Sequence, residues 1–118
     1  MENEQKTVAS EKRRLQVYVD KDDALARTLN LAEGDYECVR VNGTWLDKGL
    51  MEGDMVLIST GPAPRGGDIV LLDEDGRERL GLMHEPGWLE TLSGVRPLNA
   101  TERVAGVGVA LVRALHKD

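Results

Sequence analysis

Two short apolar runs, each introduced by a Gly-Asp pair, constrain the fold of this chain more than any other feature. Gly53-Asp54 precedes Met55-Val56-Leu57-Ile58, and Gly67-Asp68 precedes Ile69-Val70-Leu71-Leu72. Such runs between turn residues are too short for core helices and are typical of strands that are buried on both faces. The chain is therefore predicted to be mostly β, with buried strands separated by tight turns.

Other segments carry the strand pattern more weakly. Asp75-Gly76 is a hairpin turn signal, because both residues tolerate the backbone conformation of a two-residue turn. A short N-terminal helix is predicted over 20–31, where acidic residues precede apolar residues at helical spacing. The further predicted strands cover 15–19, 36–41, 77–83, 88–92 and 104–115.

The domain organisation follows from length and polarity. A chain of 118 residues forms one domain with its own core. Residues 1–13 contain too few apolar side chains to offset the entropy cost of ordering, so they are predicted to form a flexible arm. The folded domain is predicted to cover 14–118.

Charge and cysteine content exclude several classes of function. The net charge of −6 argues against broad contact with nucleic acid, and Lys12-Arg13-Arg14 reads as a solvated end of the arm. Cys38 is the single cysteine, so no disulfide or thiolate metal cage can form within the chain. We expect no metal and no cofactor. Neither a secretory signal nor a membrane span is predicted, and a cytoplasmic protein is expected.

The order of the short motifs resembles the C-terminal peptidase domain of LexA-type self-cleaving repressors, most of all the free-standing UmuD-like members. The resemblance covers about 15–115 and implies a compact β fold. Its anchors are Val39-Arg40-Val41-x-Gly43, then Gly53-Asp54-x-Val56, Gly67-Asp68-Ile69-Val70, Asp75-Gly76, Val104-x-Gly106-Val107 and Val112-Arg113.

The resemblance implies a serine nucleophile and a lysine base, and neither is present at the matching position. Counted back from Gly53-Asp54, the serine position holds Trp45, and counted forward from Gly67-Asp68 the lysine position holds Gly81. An indole cannot attack a carbonyl carbon, and glycine has no side chain to accept a proton. The chain is therefore expected to keep the fold of the peptidase domain without its catalytic activity.

One shift in this alignment leaves an alternative open. A one-residue gap places Thr44 at the nucleophile position, with Lys48 as the nearest base in sequence. Family members cut themselves at an Ala-Gly or Cys-Gly bond before the core, and residues 1–38 contain neither dipeptide. The sole Ala-Gly bond, Ala105-Gly106, is predicted to be held in the last strand.

Two surfaces are candidates for binding protein. Trp45 either fills the former cleft or, together with Leu46, contacts a partner, because Trp is enriched at interface hot spots. Trp88 is predicted to lie in the core or to cover a strand edge. In the last strand Val107, Val109 and Leu111 alternate with small residues. The small-residue face permits either tight packing within the domain or a subunit contact, and the resemblance implies a homodimer with this strand as its seam.

The function predicted from these features is a catalytically inactive, homodimeric module that binds a protein partner. The resemblance suggests roles in the DNA-damage response or in repressor regulation. Direct binding to nucleic acid or to a membrane is not expected. Two alternatives remain: an active self-cleaving peptidase that uses Thr44, and a β-barrel antitoxin-like regulator built from swapped chains.

Overall fold

The computed structural model describes residues 16–22, 27, 30 and 35–113. The described residues form a β protein with one short 3-10 turn, Leu46–Lys48. The strands, in chain order, are β1 (Gln16–Lys21), β2 (Tyr36–Asn42), β3 (Met55–Ser59), β4 (Ile69–Glu74), β5 (Arg77–Glu85), β6 (Trp88–Thr91), β7 (Gly94–Pro97) and β8 (Glu102–Val112).

Six of these strands form a closed antiparallel barrel in the order β1-β2-β3-β8-β4-β5. The barrel closes because β1 also pairs with β5, where Val17 lies opposite Leu80. The hairpin of β6 and β7 extends from the far end of β5, with Met83 opposite Leu89. The mostly β prediction is confirmed, and the closed barrel is a finer feature that the local sequence pattern did not specify.

Two apolar clusters lie on opposite faces of the barrel wall. The wall separates them because neighbouring residues of a strand point to opposite sides, so Leu71 of β4 faces one cluster while Val70 and Leu72 face the other. β4 is thus buried on both faces, as its apolar run predicts. The barrel core contains Val17, Val19, Val39, Val41, Trp45, Leu50, Val56, Ile58, Leu71, Leu80 and Leu82. The hairpin core contains Val70, Leu72, Met83, Leu89 and Val107.

The predicted hairpin between β4 and β5 is confirmed. Asp75 and Gly76 have φ angles of 53° and 86°, which are the positive values of a type I′ turn. The last strand pair before the turn is Glu74 opposite Arg77. The Asp73 carboxylate accepts a hydrogen bond from the Gly76 N–H at 2.9 Å, which further stabilises the turn.

The last strand, β8, contains two irregularities that change which side its residues face. Its register with β4 shifts between Leu71 and Leu72, and its register with β3 shifts between Leu57 and Ile58. The simple alternation expected for Val107, Val109 and Leu111 is therefore broken. Val107 is buried in the hairpin core, whereas Val109 and Leu111 are exposed.

Two of the small residues of β8, Gly106 and Gly108, pack inside the chain, whereas Ala110 is exposed. A Cβ atom added to Gly106 would overlap the Ile58 side chain and lie 2.8 Å from the Ser59 carbonyl oxygen. At Gly108 the nearest atoms would lie at 3.4 Å, which is an ordinary close contact. The small-residue face therefore serves close packing of β8 against β3, which was the first of the two readings offered by the sequence.

Some predicted elements differ from the structure. The helix predicted over 20–31 lies largely outside the described residues, and its first two positions, Asp20 and Lys21, belong to β1. Further along that range, the described residue Arg27 is α-helical and Asn30 lies in a turn. β7 was not predicted, because its four residues include both a glycine and a proline. The flexible arm proposed for 1–13 lies outside the described residues.

Candidate functional site

Trp45, the position matched to a nucleophile by the resemblance to LexA-type peptidases, lies in the segment between β2 and β3. We call residues 44–54 the β2–β3 excursion. Trp45 and Leu50 pair across it: the Trp45 N–H donates to the Leu50 carbonyl at 2.8 Å, and the Leu50 N–H donates back at 3.0 Å. The 3-10 turn Leu46–Lys48 fills the space between them and buries none of its residues. The excursion is thus a small closed loop that carries Trp45 at its base.

Trp45 lies fully inside the barrel core, with 0 % of its surface exposed. Its indole Nε1 finds no hydrogen-bond partner among the described residues. In this structure the indole therefore packs in the barrel core, and no part of the side chain reaches the surface. Leu46, the other residue proposed for partner binding, is 51 % exposed.

Gly81 does not face Trp45. Its neighbours in β5, Leu80 and Leu82, belong to the barrel core with Trp45, so Gly81 points to the opposite side of the wall. A Cβ atom at Gly81 would lie 2.8 Å from the Leu72 Cδ1 atom of the hairpin core. The two positions that the motif alignment assigned to the dyad are therefore not brought together, and a lysine at residue 81 could not approach a nucleophile at residue 45.

The alternative nucleophile has no suitable base beside it in sequence. Thr44 is half-buried, and Lys48 is exposed on the 3-10 turn. An exposed lysine lacks the apolar surroundings that make an amine a general base. The Ala105-Gly106 bond lies within β8, where Gly106 pairs with Leu71, as the sequence predicted.

An ion pair fastens the end of the β2–β3 excursion to the end of β8. The Arg113 guanidinium donates to both oxygens of the Asp54 carboxylate, from Nε at 2.8 Å and from Nη2 at 2.6 Å. The same Nη2 also donates to the Gly49 carbonyl at 2.7 Å. Asp54 is buried, and the hydrogen bond from Arg113 is the main reason why the pKa of its carboxyl group is lowered.

A second, more deeply buried ionic cluster lies near the β6–β7 hairpin. The Glu102 carboxylate receives hydrogen bonds from Arg79, from Arg96 at 2.7 and 2.9 Å, and from the Asn99 N–H at 2.8 Å. The hydrogen bond from Arg96 is the largest cause of the lowered pKa of Glu102, which falls to about 2. Sequence analysis missed this cluster, because its members are spread over three strands and a turn and share no spacing.

Among the described strands, the far half of β8 has a neighbour on one side only. Its pairing with β4 ends at Val107, whereas its pairing with β3 continues to Val112. We call residues 109–112 the open edge. Val109 is 51 % exposed and Leu111 is 45 % exposed. Two of the three residues predicted for the dimer seam therefore lie at a free strand edge, while Val107 is covered by the chain itself.

A polar groove of about 610 Å³ opens where β1 and β5 diverge beyond Tyr18 and Arg79. The Arg77 guanidinium lies 4.0 Å from the centre of the Tyr18 ring at its wall. The groove is lined by β1, the end of β2 and the β4–β5 hairpin. None of the predicted site residues contributes to it.

Cys38 is buried in β2, and His84 lies 3.7 Å from Glu90. Within the described ranges, no three His, Cys, Asp or Glu side chains are close enough together to hold a metal ion. No helix in the part of the chain that the structure describes has the length and apolar character needed to cross a membrane.

In comparisons with known proteins, no family model matches this chain and no curated protein matches it at a significant level.

Proposed function

We propose that this chain is a LexA-like module without peptidase activity, which forms a homodimer and binds a protein partner. The burial of Trp45 supports the first part of the proposal. An indole at the base of the β2–β3 excursion occupies the space that a scissile segment would need, and Gly81 faces away from it. Neither residue supplies a nucleophile or a base.

The single observation that carries the homodimer is the open edge of β8. Its residues are apolar and uncharged, and proline is absent from it. Natural monomers usually protect such an edge with charge, proline or a covering segment, because a free strand edge pairs with other chains. A second copy can pair antiparallel along residues 109–112 about a two-fold axis, so that each copy covers the other.

The protein partner is proposed on chemical grounds and by the resemblance to regulators of the DNA-damage response and of repressors. The net charge of −6 disfavours a polyanion, so we propose protein rather than nucleic acid as the target. Leu46 and Met51 are exposed on the β2–β3 excursion and provide apolar contact area beside the fully buried Trp45. Trp45 would stabilise this surface by packing in the barrel core underneath it.

Sedimentation velocity tests the homodimer. We expect the wild-type chain to sediment as a dimer and Leu111→Lys to shift it to monomer, because a charge at the seam would be desolvated on pairing. Val95→Lys is the matched control, since Val95 is a similarly exposed valine on β7. A wild-type monomer at all concentrations, or equal effects of the two variants, would contradict the homodimer.

Intact-mass measurement tests the absence of peptidase activity. After prolonged incubation at alkaline pH, where a lysine base would be most active, we expect a single unchanged mass. Two fragments whose masses sum to the full chain plus one water molecule would overturn this part of the proposal. Thr44→Val would then identify the nucleophile, because valine has nearly the shape of threonine without the hydroxyl group.

A further inference from the structure

Arg113 links two parts of the molecule that are far apart in sequence. It follows the open edge directly, and its guanidinium reaches the buried Asp54 at the end of the β2–β3 excursion. The bidentate geometry, at 2.8 and 2.6 Å, fixes the orientation of both groups. The position of the residue that follows β8 is therefore coupled to the position of the excursion.

The coupling continues from Asp54 to Trp45 through hydrogen bonds. Asp54 Oδ2 accepts the Met51 N–H at 2.7 Å, and Arg113 holds the Gly49 carbonyl at 2.7 Å. These two contacts flank Leu50, which is bonded to Trp45 through both of its backbone groups. Leu50 belongs to the barrel core, and the Gly53 N–H donates to the Val41 carbonyl at 2.9 Å. The 3-10 turn buries none of its residues, so the contacts of Arg113 and Asp54 add to what holds this loop in place.

We infer that the ion pair of Arg113 with Asp54 couples the open edge to the β2–β3 excursion, so that pairing of a second copy along the open edge controls the access of solvent and of a partner to Trp45. We call this ion pair the clasp. A second copy paired along residues 109–112 immobilises the strand end that carries Arg113 and keeps the excursion closed. In the free chain the clasp opens more often and exposes the indole. By linkage, a partner that binds the opened excursion weakens the dimer to the same extent. This inference rests on the proposed homodimer.

Fluorescence quenching of Trp45 by acrylamide tests the clasp. Trp88→Phe leaves Trp45 as the only tryptophan, and all variants are made in that background. We expect Arg113→Gln to raise the quenching constant severalfold and to shift the emission to longer wavelength. Arg103→Gln is the matched control, since Arg103 lies at the other end of β8 and pairs with Asp73 at 2.9 Å, far from the excursion in the sheet register.

Circular dichroism distinguishes release of the clasp from unfolding. An Arg113→Gln chain with an unchanged strand spectrum and strong quenching supports the inference. If Arg113→Gln loses its strand spectrum, Arg113→Lys replaces it, because lysine keeps the charge without the bidentate contact. Quenching equal to that of Arg103→Gln in the folded variant overturns the clasp.

Dilution separates this inference from the proposed homodimer. Quenching and sedimentation are measured on the same concentration series. We expect wild-type quenching to fall as dimer forms and Arg113→Gln quenching to stay constant. Dimer formation with no change in wild-type quenching overturns the coupling and leaves the homodimer intact. A chain that stays monomeric overturns the homodimer and the coupling, while the comparison of Arg113→Gln with Arg103→Gln still decides whether Arg113 covers Trp45.

Discussion

The barrel and its hairpin each present a strand edge without a neighbour among the described residues, and the two edges are built differently. β7 is four residues long, contains Pro97, and carries Arg96, whose guanidinium is held by Glu102. The open edge of β8 has neither proline nor charge. Both edges expose apolar side chains, as Val95 and Val109 do. Exposure alone therefore does not distinguish them.

The two edges differ in the backbone groups and side chains that they offer to a strand of another molecule. Trp88 pairs with Pro97 inside the hairpin, and the proline ring leaves no N–H to donate at the outer edge. On β8, no described strand pairs on the β4 side beyond Val107, and the side chains there are uncharged. A protein that needs to stay apart from its copies protects its edges. One protected edge and one unprotected edge in the same chain support selective association through β8.

Removal of the Glu102 carboxylate is expected to have the largest effect, because this residue connects the two edge strands. Glu102→Gln leaves the buried Arg79 with only Glu74 as its partner and frees Arg96. We expect the free energy of unfolding to fall by about 3–5 kcal/mol in urea titrations. Arg103→Gln breaks an exposed pair and should cost less than about 1 kcal/mol. Equal losses would contradict the burial argument.

Acid should weaken the same connection. Because the pKa of Glu102 is lowered to about 2 in the folded chain, its stabilising effect is complete above the ordinary range near 4.5 and is lost as pH falls toward 2. The pKa of Asp54 is also lowered, so protonation of its carboxyl group adds to the loss. We expect the free energy of unfolding to decrease between about pH 5 and pH 2. The Glu102→Gln chain should show a flatter profile, and an unchanged slope would refute the assignment.

Close packing of β8 against β3 gives a smaller effect. Gly106→Ala places a methyl group against Ile58 and the Ser59 carbonyl, and we expect a loss of about 1–3 kcal/mol on thermal or urea unfolding. Gly108→Ala is the control, since its nearest atoms would lie at 3.4 Å and little has to move. The ranking of the two variants is the measured result, and a larger loss at Gly108 would show that β8 is packed differently.

Replacement of Pro97 on the edge of β7 should have the smallest effect, and it tests the difference between the two edges directly. Pro97→Thr restores an N–H at the outer edge and adds a residue that favours strands. We expect weak additional association, seen as larger species in sedimentation at high protein concentration. Pro62→Thr, in the loop before β4, is the control and should leave the dimer unchanged. No difference between the variants would mean that proline does not protect this edge.

The strands of the barrel were largely predictable from the sequence, because local patterns encode them. The apolar runs of β3 and β4 and the Asp75-Gly76 turn depend on residues that are adjacent in the chain. The bulges of β8 were not predictable, since they depend on which residues of β3 and β4 lie opposite. As a result the burial of Val107 and the exposure of Val109, two residues expected to share one face, were not encoded by their immediate neighbours.

The candidate site was predictable in part. The absence of a serine at residue 45 is visible in the sequence, and so is the presence there of a large indole. The orientation of Gly81 is not visible, because a count along the chain carries no information about which side of the barrel wall a residue faces. The Glu102 and Asp54 clusters were invisible for the same reason, since their partners come from distant strands.

The sequence by itself determined that this chain is mostly β and where its buried strands begin. It also excluded a thiolate metal cage and placed an indole where the resemblance implies a nucleophile. The tertiary structure alone decided that β1 closes the barrel on β5, that Trp45 and Gly81 face opposite clusters, and that β8 ends in an open edge tied to Asp54. The physical reason is the distance along the chain between the residues involved. Strand patterns and turns depend on neighbouring residues. Barrel closure, the side of the wall that a residue faces and ion pairing depend on residues that only folding brings together.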